Sequence, residues 1–571
     1  MLASIWISAA GVCIMVWYMV SKKPIQNALG IDPNRISPGD RAGRRIPNWL
    51  FLAGQVSVLT GLAPLYGLSV LLRNGILPAL LWTVFGCVLL SSLPYSAALW
   101  ANMRSEGKSI GGLMYDYLGG RGKHLLYVAG WLLAVMMLAM MTQIAASLWE
   151  SKPQEIFASQ YLSDPSALVQ DLKKTENEAG WRAVGATATL GLSAFSALYG
   201  WMLFKYKRRS ARITVAFVAV ILFLLPLCSD FPLALSAQQI IYLLLGIAFI
   251  SAILPGQWLS IPRDLLTGTL MMFLAALCVA GVLFAVNKVT QPIYIPPAAE
   301  GGGRLFPYLF MTSSAGGLSA VYILSLSQRI SRTELREDSG HSAVFGGTLT
   351  ACFIGAVIIV AAGQYSELPL SGLGDATVAP RLLLGAMATL LTDAPIGLPL
   401  QWAYIAVTLV FAGCALCAQD MAVRLGTTLV YGIYFGHSSP PRALTADRLL
   451  SAFVTVIAAL LISGGDFWVL WPLYGAASMG VSAVALLPIL LWLRGCGRGI
   501  WKPLCCLSAA LALMSVVSMV VFLFDQIFSG GSLILHCVVT TLLIATFVHA
   551  LTGIGRGFKA LPPQKNSLNA E

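Results

Sequence analysis

Charged residues are scarce in this sequence. Only 11% of its 571 residues are Asp, Glu, Lys or Arg, whereas a soluble protein carries about 25% charge. Hydrophobic residues make up 57% of the chain. They recur in runs of about 20, the length that crosses roughly 30 Å of hydrocarbon. The composition therefore excludes a soluble globular protein and predicts an all-α polytopic membrane protein.

The common signatures of enzymes and of disulfide-stabilised domains are also missing. There is no Walker-type phosphate loop, no HExxH motif and no plausible Ser/His/Asp set, so we expect neither an enzyme nor a bound cofactor or metal. The eleven cysteines lie almost entirely within apolar runs or at their ends, which indicates no disulfide framework. The net charge of +12 lies mostly in loops, where it suits anionic lipid rather than nucleic acid.

The apolar runs predict fifteen membrane spans. The run beginning at 399 is expected to continue as a helix to about 434, and the short run 382–392 is interpreted as an outer or re-entrant element. If 382–392 spans instead, the sidedness of all later segments reverses. The approximate cores of the predicted spans are residues 2–20, 49–72, 76–102, 124–149, 183–204, 213–228, 237–259, 265–287, 306–327, 343–363, 399–418, 449–463, 467–493, 504–527 and 532–554.

Loop charges predict the orientation, because short loops rich in Lys and Arg stay in the cytoplasm. Residues 21–48 contain six basic and two acidic side chains, and residues 205–212 contain five basic and none acidic. Residues 150–181 contain three lysines and six carboxylates. We therefore expect the first two segments inside, the third outside, the N-terminus outside and the C-terminus in the cytoplasm.

Two of the predicted spans are interrupted by helix-breaking residues. The stretch "VLTGLAPLYGLSVLL", residues 58–72, places Gly61, Pro64 and Gly67 inside one span. The stretch "LFPYLFMTSSAGGLSAVYILS", residues 305–325, places small polar residues inside another. Irregular backbone is tolerated in a membrane only where it is buried in protein or lines a cavity, so the two breaks indicate a binding site. A simple proline kink is the alternative at the first break.

The two interrupted spans have opposite predicted directions, and so do the four spans that follow each of them. Paired interruptions in inverted halves are typical of the binding sites of secondary transporters. The predicted organisation is an N-terminal span and loop (1–48), a first five-helix repeat (49–228), an inserted helix pair (229–305), an inverted second repeat (306–493) and two C-terminal helices with a tail (494–571).

A series of ordered motifs resembles the carbon starvation protein A family. The motifs are "ALGIDPNRISPGD" at 28–40, "GLAPLYG" at 61–67, "SEGKSIGGL" at 105–113, "AILPGQWLSIPRD" at 252–264, "LFPYLF" at 305–310, "AQDMAVR" at 418–424 and "LWPLYG" at 470–475. The resemblance implies a bacterial inner-membrane transporter of the amino acid-polyamine-organocation superfamily with a LeuT-like inverted-repeat core. It also implies uptake of pyruvate, or of peptides, during nutrient limitation.

The chain departs from that family at polar positions. Gly54 and Gln55 stand where paired histidines are expected, and Pro94 and Tyr95 stand where Gln-Asp is expected. A proton-coupled transporter needs a titratable group facing its pathway, so these departures predict weak dependence on protons or coupling to sodium. Serine hydroxyls and unwound backbone carbonyls could bind sodium. Further losses of expected polar groups are at Ala351, Phe411, Ser478 and Met479.

Candidate site residues follow from the two breaks and from the few ionisable residues near spans. Asp420 and Arg424 are four residues apart on one helix face, which favours pairing, while Arg263 and Asp264 end a span at the cytoplasmic side. Each pair is a candidate for coupling or gating, with interfacial structural pairing as the alternative. The predicted solute-binding residues are Gly61, Ala63, Pro64, Gly67, Gln55, Thr60, Ser313, Ser314, Gly317, Ser319 and Tyr322.

Two functions fit these features. The first is secondary uptake of a small organic acid such as pyruvate, or of short peptides, coupled to a proton or sodium. The second is a transporter-derived sensor or accessory subunit without net flux, suggested by the loss of polar residues. Measurement of flux distinguishes the two.

Overall fold

The computed structural model is helical over most of its length. It describes residues 2–31, 44–45, 48–60, 67–68, 71–86, 90–105, 108–150, 165–205, 210–229, 231–256, 258–284, 292–296, 306, 319–330, 333–334, 337–364, 379–393, 397–435, 445–464, 467–529 and 534–560. Within these ranges it contains seventeen helices and one pair of two-residue strands.

The helices are numbered in chain order. Residues 2–284 contain α1 (Leu2–Leu29), α2 (Asn48–Leu59), α3 (Ile76–Gly86), α4 (Ser92–Arg104), α5 (Ile110–Trp149), α6 (Pro165–Lys205), α7 (Ser210–Ser229), α8 (Ala237–Ile253) and α9 (Ser260–Phe284). The remaining helices are α10 (Ala320–Ile330), α11 (Glu337–Gln364), α12 (Ala379–Asp393), α13 (Leu400–Tyr434), α14 (Ala446–Ser463), α15 (Phe467–Gly495), α16 (Trp501–Ser529) and α17 (Ile534–Ala560). The strands β1 (Arg44–Arg45) and β2 (Thr333–Glu334) pair in parallel.

Nine helices in the described part of the chain are long and apolar enough to cross a membrane. Six further apolar helices are shorter, from ten to seventeen residues. The prediction of an all-α polytopic membrane protein is thus confirmed, while the count of fifteen spans stays a prediction. The expected continuation of the span from 399 is also observed, because α13 runs unbroken from Leu400 to Tyr434.

Several helix ends differ from the predicted span boundaries. Within the apolar run 76–102 the structure describes α3 and α4, and residues 87–89 between them lie outside the described residues. Helix α5 begins at Ile110, well before the expected 124, because the Ser109 side chain accepts a hydrogen bond from the Gly112 amide and caps the helix. Gly119 then interrupts α5 with a φ of 81°, a left-handed conformation that glycine adopts without strain.

Segments predicted to be cytoplasmic meet at one end of the molecule. The Arg104 guanidinium at the end of α4 lies 2.7 Å from the Glu337 carboxylate at the start of α11 and also bonds the Gly30 carbonyl. Gln26 donates to Asp338 at 2.6 Å. Strand β1 follows α1 and strand β2 precedes α11, so their pairing joins the same two segments of the chain. These ends therefore share one side, as the predicted alternation of spans requires.

Segments predicted to be external meet in the same way. The Leu77 amide donates to the Ile293 carbonyl at 3.0 Å, and the Thr187 hydroxyl donates to the Phe231 carbonyl at 2.7 Å. At the start of α12, Arg381 donates to the Ser147 carbonyl at 2.7 Å, near the outer end of α5. Toward the end of α12, Leu390 packs on Gly281 near the outer end of α9. Both ends of α12 therefore lie on one side.

Contacts among segment ends do not show which side is the cytoplasm, and thiol labelling can decide it. In a background without the exposed cysteines Cys13, Cys506 and Cys537, a cysteine at Ser166 should react with an impermeant maleimide in intact cells. A cysteine at Ser210 should react only after lysis. The reverse pattern would show that the predicted orientation is wrong.

The most buried part of the fold surrounds the long helices α5 and α13, which pack along one another. Helices α14 and α15 also pack on α5, while α6 and α9 pack on α13. Helix α9 in addition lies against α2 at very short range, because Gly268 faces the Ala53 carbonyl. Small residues at helix contacts allow such close approach in membrane proteins.

Candidate functional site

The two predicted breaks coincide with helix ends in the middle of the sequence runs. Helix α2 ends at Leu59, with Thr60 in a turn, and α10 begins at Ala320. Gly67 is buried and helical beyond the first break. The other predicted residues at the breaks lie outside the described residues: Gly61, Ala63, Pro64, Ser313, Ser314 and Gly317.

A direct hydrogen bond joins the two interrupted segments. The Tyr322 hydroxyl, on the first turn of α10, donates to the side-chain oxygen of Gln55 on α2. Both side chains are almost completely buried. Thr60, five residues after Gln55, turns its hydroxyl back to the Val56 carbonyl at 2.6 Å. The structure therefore brings together Gln55 and Tyr322, two residues predicted for the site from separate breaks.

The start of α10 is held by its own cap and by side chains from two other helices, α4 and α15. Ser319 caps α10, because its hydroxyl accepts from the Tyr322 amide at 3.4 Å. The Ser319 amide donates to the Tyr95 hydroxyl of α4 at 2.8 Å, and the Ala320 amide donates to the Ser478 hydroxyl of α15 at 3.1 Å. The Tyr474 hydroxyl of α15 lies 3.3 Å from the Ser319 hydroxyl. The described part of this site is polar and built from uncharged side chains.

These contacts change the chemistry expected at the second break. The free amides at a helix N-terminus attract anions. In α10 the amides of Ser319 and Ala320 are already bonded to hydroxyls of Tyr95 and Ser478. A solute carboxylate would reach these amides only by displacing the hydroxyls. The hydroxyls themselves remain possible donors to a solute.

Tyr95, Tyr474 and Ser478 were not predicted as site residues. Tyr95 and Ser478 stand at positions where the family resemblance indicated loss of polar groups. Their hydroxyls still reach the backbone of α10. Tyr474 belongs to the "LWPLYG" motif, which gave the only sequence signal for it. Ala351, Phe411 and Met479 supply no comparable polar atom.

Three of the four predicted ionisable residues, Asp420, Arg424 and Arg263, come together in a second, charged cluster. The Asp420 carboxylate lies 2.8 Å from the Arg424 Nε, as the four-residue spacing predicts, and 3.5 Å from an Arg263 nitrogen. The hydroxyls of Ser251 and Ser260 also donate to it. Both carboxylate oxygens are therefore engaged by donors.

The charged cluster joins the connection between α8 and α9 to the middle of α13. Arg424 donates to the carbonyls of Leu254 and Ser251, where α8 ends. Arg448 of α14, which was not predicted, donates to the carbonyls of Ala252 and Leu254. Guanidinium groups thus satisfy the carbonyls left open at the end of a helix.

The charged cluster is buried inside the protein. Asp420 is only 2% exposed and Arg263 less than 1%. Arg263 also pairs with Asp420 across two helices instead of with its neighbour Asp264. Asp264 lies elsewhere, facing α2. The two sequence pairs are therefore one cluster plus a separate carboxylate.

Sequence comparison places the chain in a family. The family model described as "Carbon starvation protein CstA" matches residues 3–371. The chain belongs to this family. Among its relatives, the peptide transporter CstA of Escherichia coli (strain K12) is 23% identical over 63% of this chain and 50% of that protein. The CstA relatives are named as peptide transporters.

Two further relatives vary in how much of their length is matched. The pyruvate/proton symporter BtsT of Escherichia coli (strain K12) is 23% identical over 65% of this chain and 52% of BtsT. The peptide transporter CstA of Bacillus subtilis (strain 168) is 24% identical over 77% of this chain and 75% of that protein. The chain thus spans about half the length of the Escherichia coli relatives.

A structural comparison finds partial similarity to a solved structure. The crystal structure of MhsT in complex with L-phenylalanine aligns with 89% of this chain and 99% of MhsT. The sequence identity is 13% and the TM-score is 0.41.

Proposed function

We propose that this CstA-family chain is a secondary transporter of the bacterial inner membrane that takes up a small organic acid such as pyruvate, or short peptides. The observation that carries the proposal is the Gln55–Tyr322 contact, which joins the ends of two interrupted helices inside the protein. Discontinuous helices that meet near mid-membrane form the solute sites of many secondary transporters. The names of the relatives support the same class of function.

We further propose that the two halves form an inverted repeat. Its support is reciprocal packing: α2 packs on α11 as α10 packs on α4, and α6 packs on α13 as α14 packs on α5. Helix α9 packs on α2 and α13, as α15 packs on α10 and α5. This reciprocity favours α9, rather than α7, as the fifth helix of the first repeat. Helices α7 and α8 would then be the inserted pair, instead of residues 229–305.

The solute chemistry follows from the neutral side chains at the start of α10. Tyr95, Tyr474 and Ser478 offer hydroxyl donors, and Gln55 offers an amide. Such groups, beside the positive end of a helix, suit a carboxylate without a full opposite charge. Pyruvate and the C-terminus of a short peptide both present that group. The alternative of a sensor without flux has no support among the relatives, which are named as transporters.

Uptake of radiolabelled solute into proteoliposomes tests the proposed function. The purified protein should accumulate pyruvate or a dipeptide above empty liposomes when a proton or sodium gradient is imposed. Exchange against solute trapped inside should occur without any gradient. If the folded protein neither accumulates nor exchanges either solute, the proposal fails and a role without flux is favoured.

A further inference from the structure

We infer that Asp264 is the side chain that binds and releases the coupling proton during transport. The inference rests on the proposed function, because it assigns the ion that drives the same site. The sequence predicted weak dependence on protons, because no titratable group was expected to face the pathway. A buried carboxylate at Asp264 removes that reason, and uptake under a pH gradient measures how strongly transport depends on protons.

Asp264 lies beside the interrupted helix α2. It belongs to the first turn of α9, which packs on both α2 and α13, and its side chain is buried. A Cβ atom at Gly54 would stand 3.8 Å from the Asp264 Cβ atom. Gly54 directly precedes Gln55, which holds Tyr322 of α10. Gly54, the neighbour of Asp264, is therefore adjacent in the chain to Gln55, the residue that joins the two interrupted segments.

The neighbours of Asp264 on α13 are neutral thiols. The Cys417 side chain lies close enough to Asp264 to interact with it. One turn away, the Cys414 side chain is close to Thr60, at the end of α2. Helix α2 contains no ionisable side chain between Asn48 and Leu59. A thiol can donate to a carboxylate and can also remain beside a carboxylic acid, so this environment tolerates both protonation states.

Among the described residues, three other polar or titratable groups close to the start of α9 or on the helices that pack on it have known contacts. Arg263, its neighbour on α9, faces Asp420 at 3.5 Å. Helix α6 approaches the start of α9 through Gly200, which lies against Pro262, and the adjacent Tyr199 hydroxyl bonds the Thr214 hydroxyl at 2.6 Å. On α11, which also packs on α9, the titratable His341 stacks on Phe345. Arg263, Tyr199 and His341 are thus each in contact with the partner named here.

Asp420 is the less suitable proton carrier. It receives donors from Arg424, Ser251 and Ser260 and faces Arg263. A proton on Asp420 would replace an ion pair by buried unpaired guanidinium charge. Asp264 instead lies where α9 packs on α2 and α13. Protonation there changes the charge of the α2–α9–α13 junction, so it can favour one arrangement of α2 and bias the same equilibrium as the solute.

Carbodiimide labelling of the wild-type protein tests the inference without any substitution. Dicyclohexylcarbodiimide enters membranes and modifies carboxyl groups in the protonated form. Mass spectrometry should find Asp264 modified, with a yield that falls at least tenfold from low to high pH and falls when solute is present. Asp420 should remain unmodified and serves as the internal control. An Asp264 that is unmodified at every pH, or labelled independently of pH, would overturn the inference.

Transport assays separate this inference from the proposed function. In the Asp264→Asn variant, the accumulation of pyruvate driven by a pH gradient should fall at least tenfold. The variant should still exchange pyruvate against pyruvate trapped inside the liposomes. Asp264→Glu should keep the stimulation. If the wild type exchanges solute but ignores the pH gradient, or if Asp264→Asn responds to it fully, the inference fails and the proposed function stands. If the wild type exchanges neither pyruvate nor a dipeptide, the proposed function fails.

Discussion

Replacing Asp420 by asparagine should destabilise the protein by about 3–5 kcal/mol, the usual cost of removing one partner of a buried ion pair. The substitution leaves the Arg424 and Arg263 guanidiniums buried without the carboxylate that now lies between them. The connection between α8 and α9 would lose an anchor as well, because Arg424 holds the Leu254 carbonyl. Thermal unfolding in detergent, followed by size-exclusion chromatography, should show the loss.

An exposed ion pair offers the matched control. The Lys108 Nζ atom lies 2.9 Å from the Asp116 carboxylate, and the two side chains are 53% and 41% exposed. Asp116→Asn should change stability by less than about 1 kcal/mol, since solvent screens such pairs. If Asp420→Asn unfolds at the same temperature as Asp116→Asn, the charged cluster does not hold α8, α9 and α13 together.

Gly268→Ala should cause the second large loss, because α9 and α2 approach too closely for a side chain at this position. A Cβ atom at 268 would stand 1.7 Å from the Ala53 carbonyl oxygen and 2.3 Å from its carbon. The obstacle is backbone, so no rotation of a side chain can relieve it. Overpacking of this kind costs about 1–3 kcal/mol or more. We expect a lower yield of folded protein and loss of solute binding.

Gly246→Ala is the control for that substitution. Gly246 lies inside α8, and nothing stands within 4 Å of a Cβ atom there. Alanine favours a helix over glycine by up to about 1 kcal/mol, so this variant should be at least as stable as the wild type. Equal yields and unfolding temperatures for the two variants would show that α2 and α9 do not pack as described.

The sequence predicted those features that depend on local residue patterns. The glycines and proline of 61–67 indicated where α2 ends, and the small polar run before Ala320 indicated where α10 begins. The four-residue spacing predicted the pairing of Asp420 with Arg424. In each case the physical cause, a broken backbone or one helix face, lies within a few residues of the chain.

Features that depend on contacts between distant helices could not be predicted in this way. Nothing near Arg263 in the sequence indicates that it faces Asp420 rather than Asp264. In the sequence, Tyr95 and Ser478 stand where the family resemblance indicates loss of polar groups. Their hydroxyls reach the backbone of α10 because of the way α4 and α15 pack around it, which the sequence does not indicate. Arg448 caps the end of α8 only because α14 passes beside it.

The helix boundaries show a third kind of limit. The run 76–102 is apolar throughout, so hydropathy predicts one span for the segment that contains α3 and α4. Conversely, Ser109 caps a helix that begins in a polar stretch, and α5 therefore extends beyond its apolar part. Hydropathy reports which residues suit a membrane. It does not report where backbone hydrogen bonding starts and stops.

The central claim, that solute binds between the interrupted helices α2 and α10, is tested most directly by solute protection of a thiol at Ser319. In a background without exposed cysteines, Ser319→Cys should react with a small alkylating reagent, and a solute that the wild type transports should slow that reaction at least fivefold. Ser342→Cys on α11, also partly buried, should react at the same rate with and without solute. Equal rates at position 319 with and without a saturating, transported solute would contradict the claim and place the binding site elsewhere in the protein.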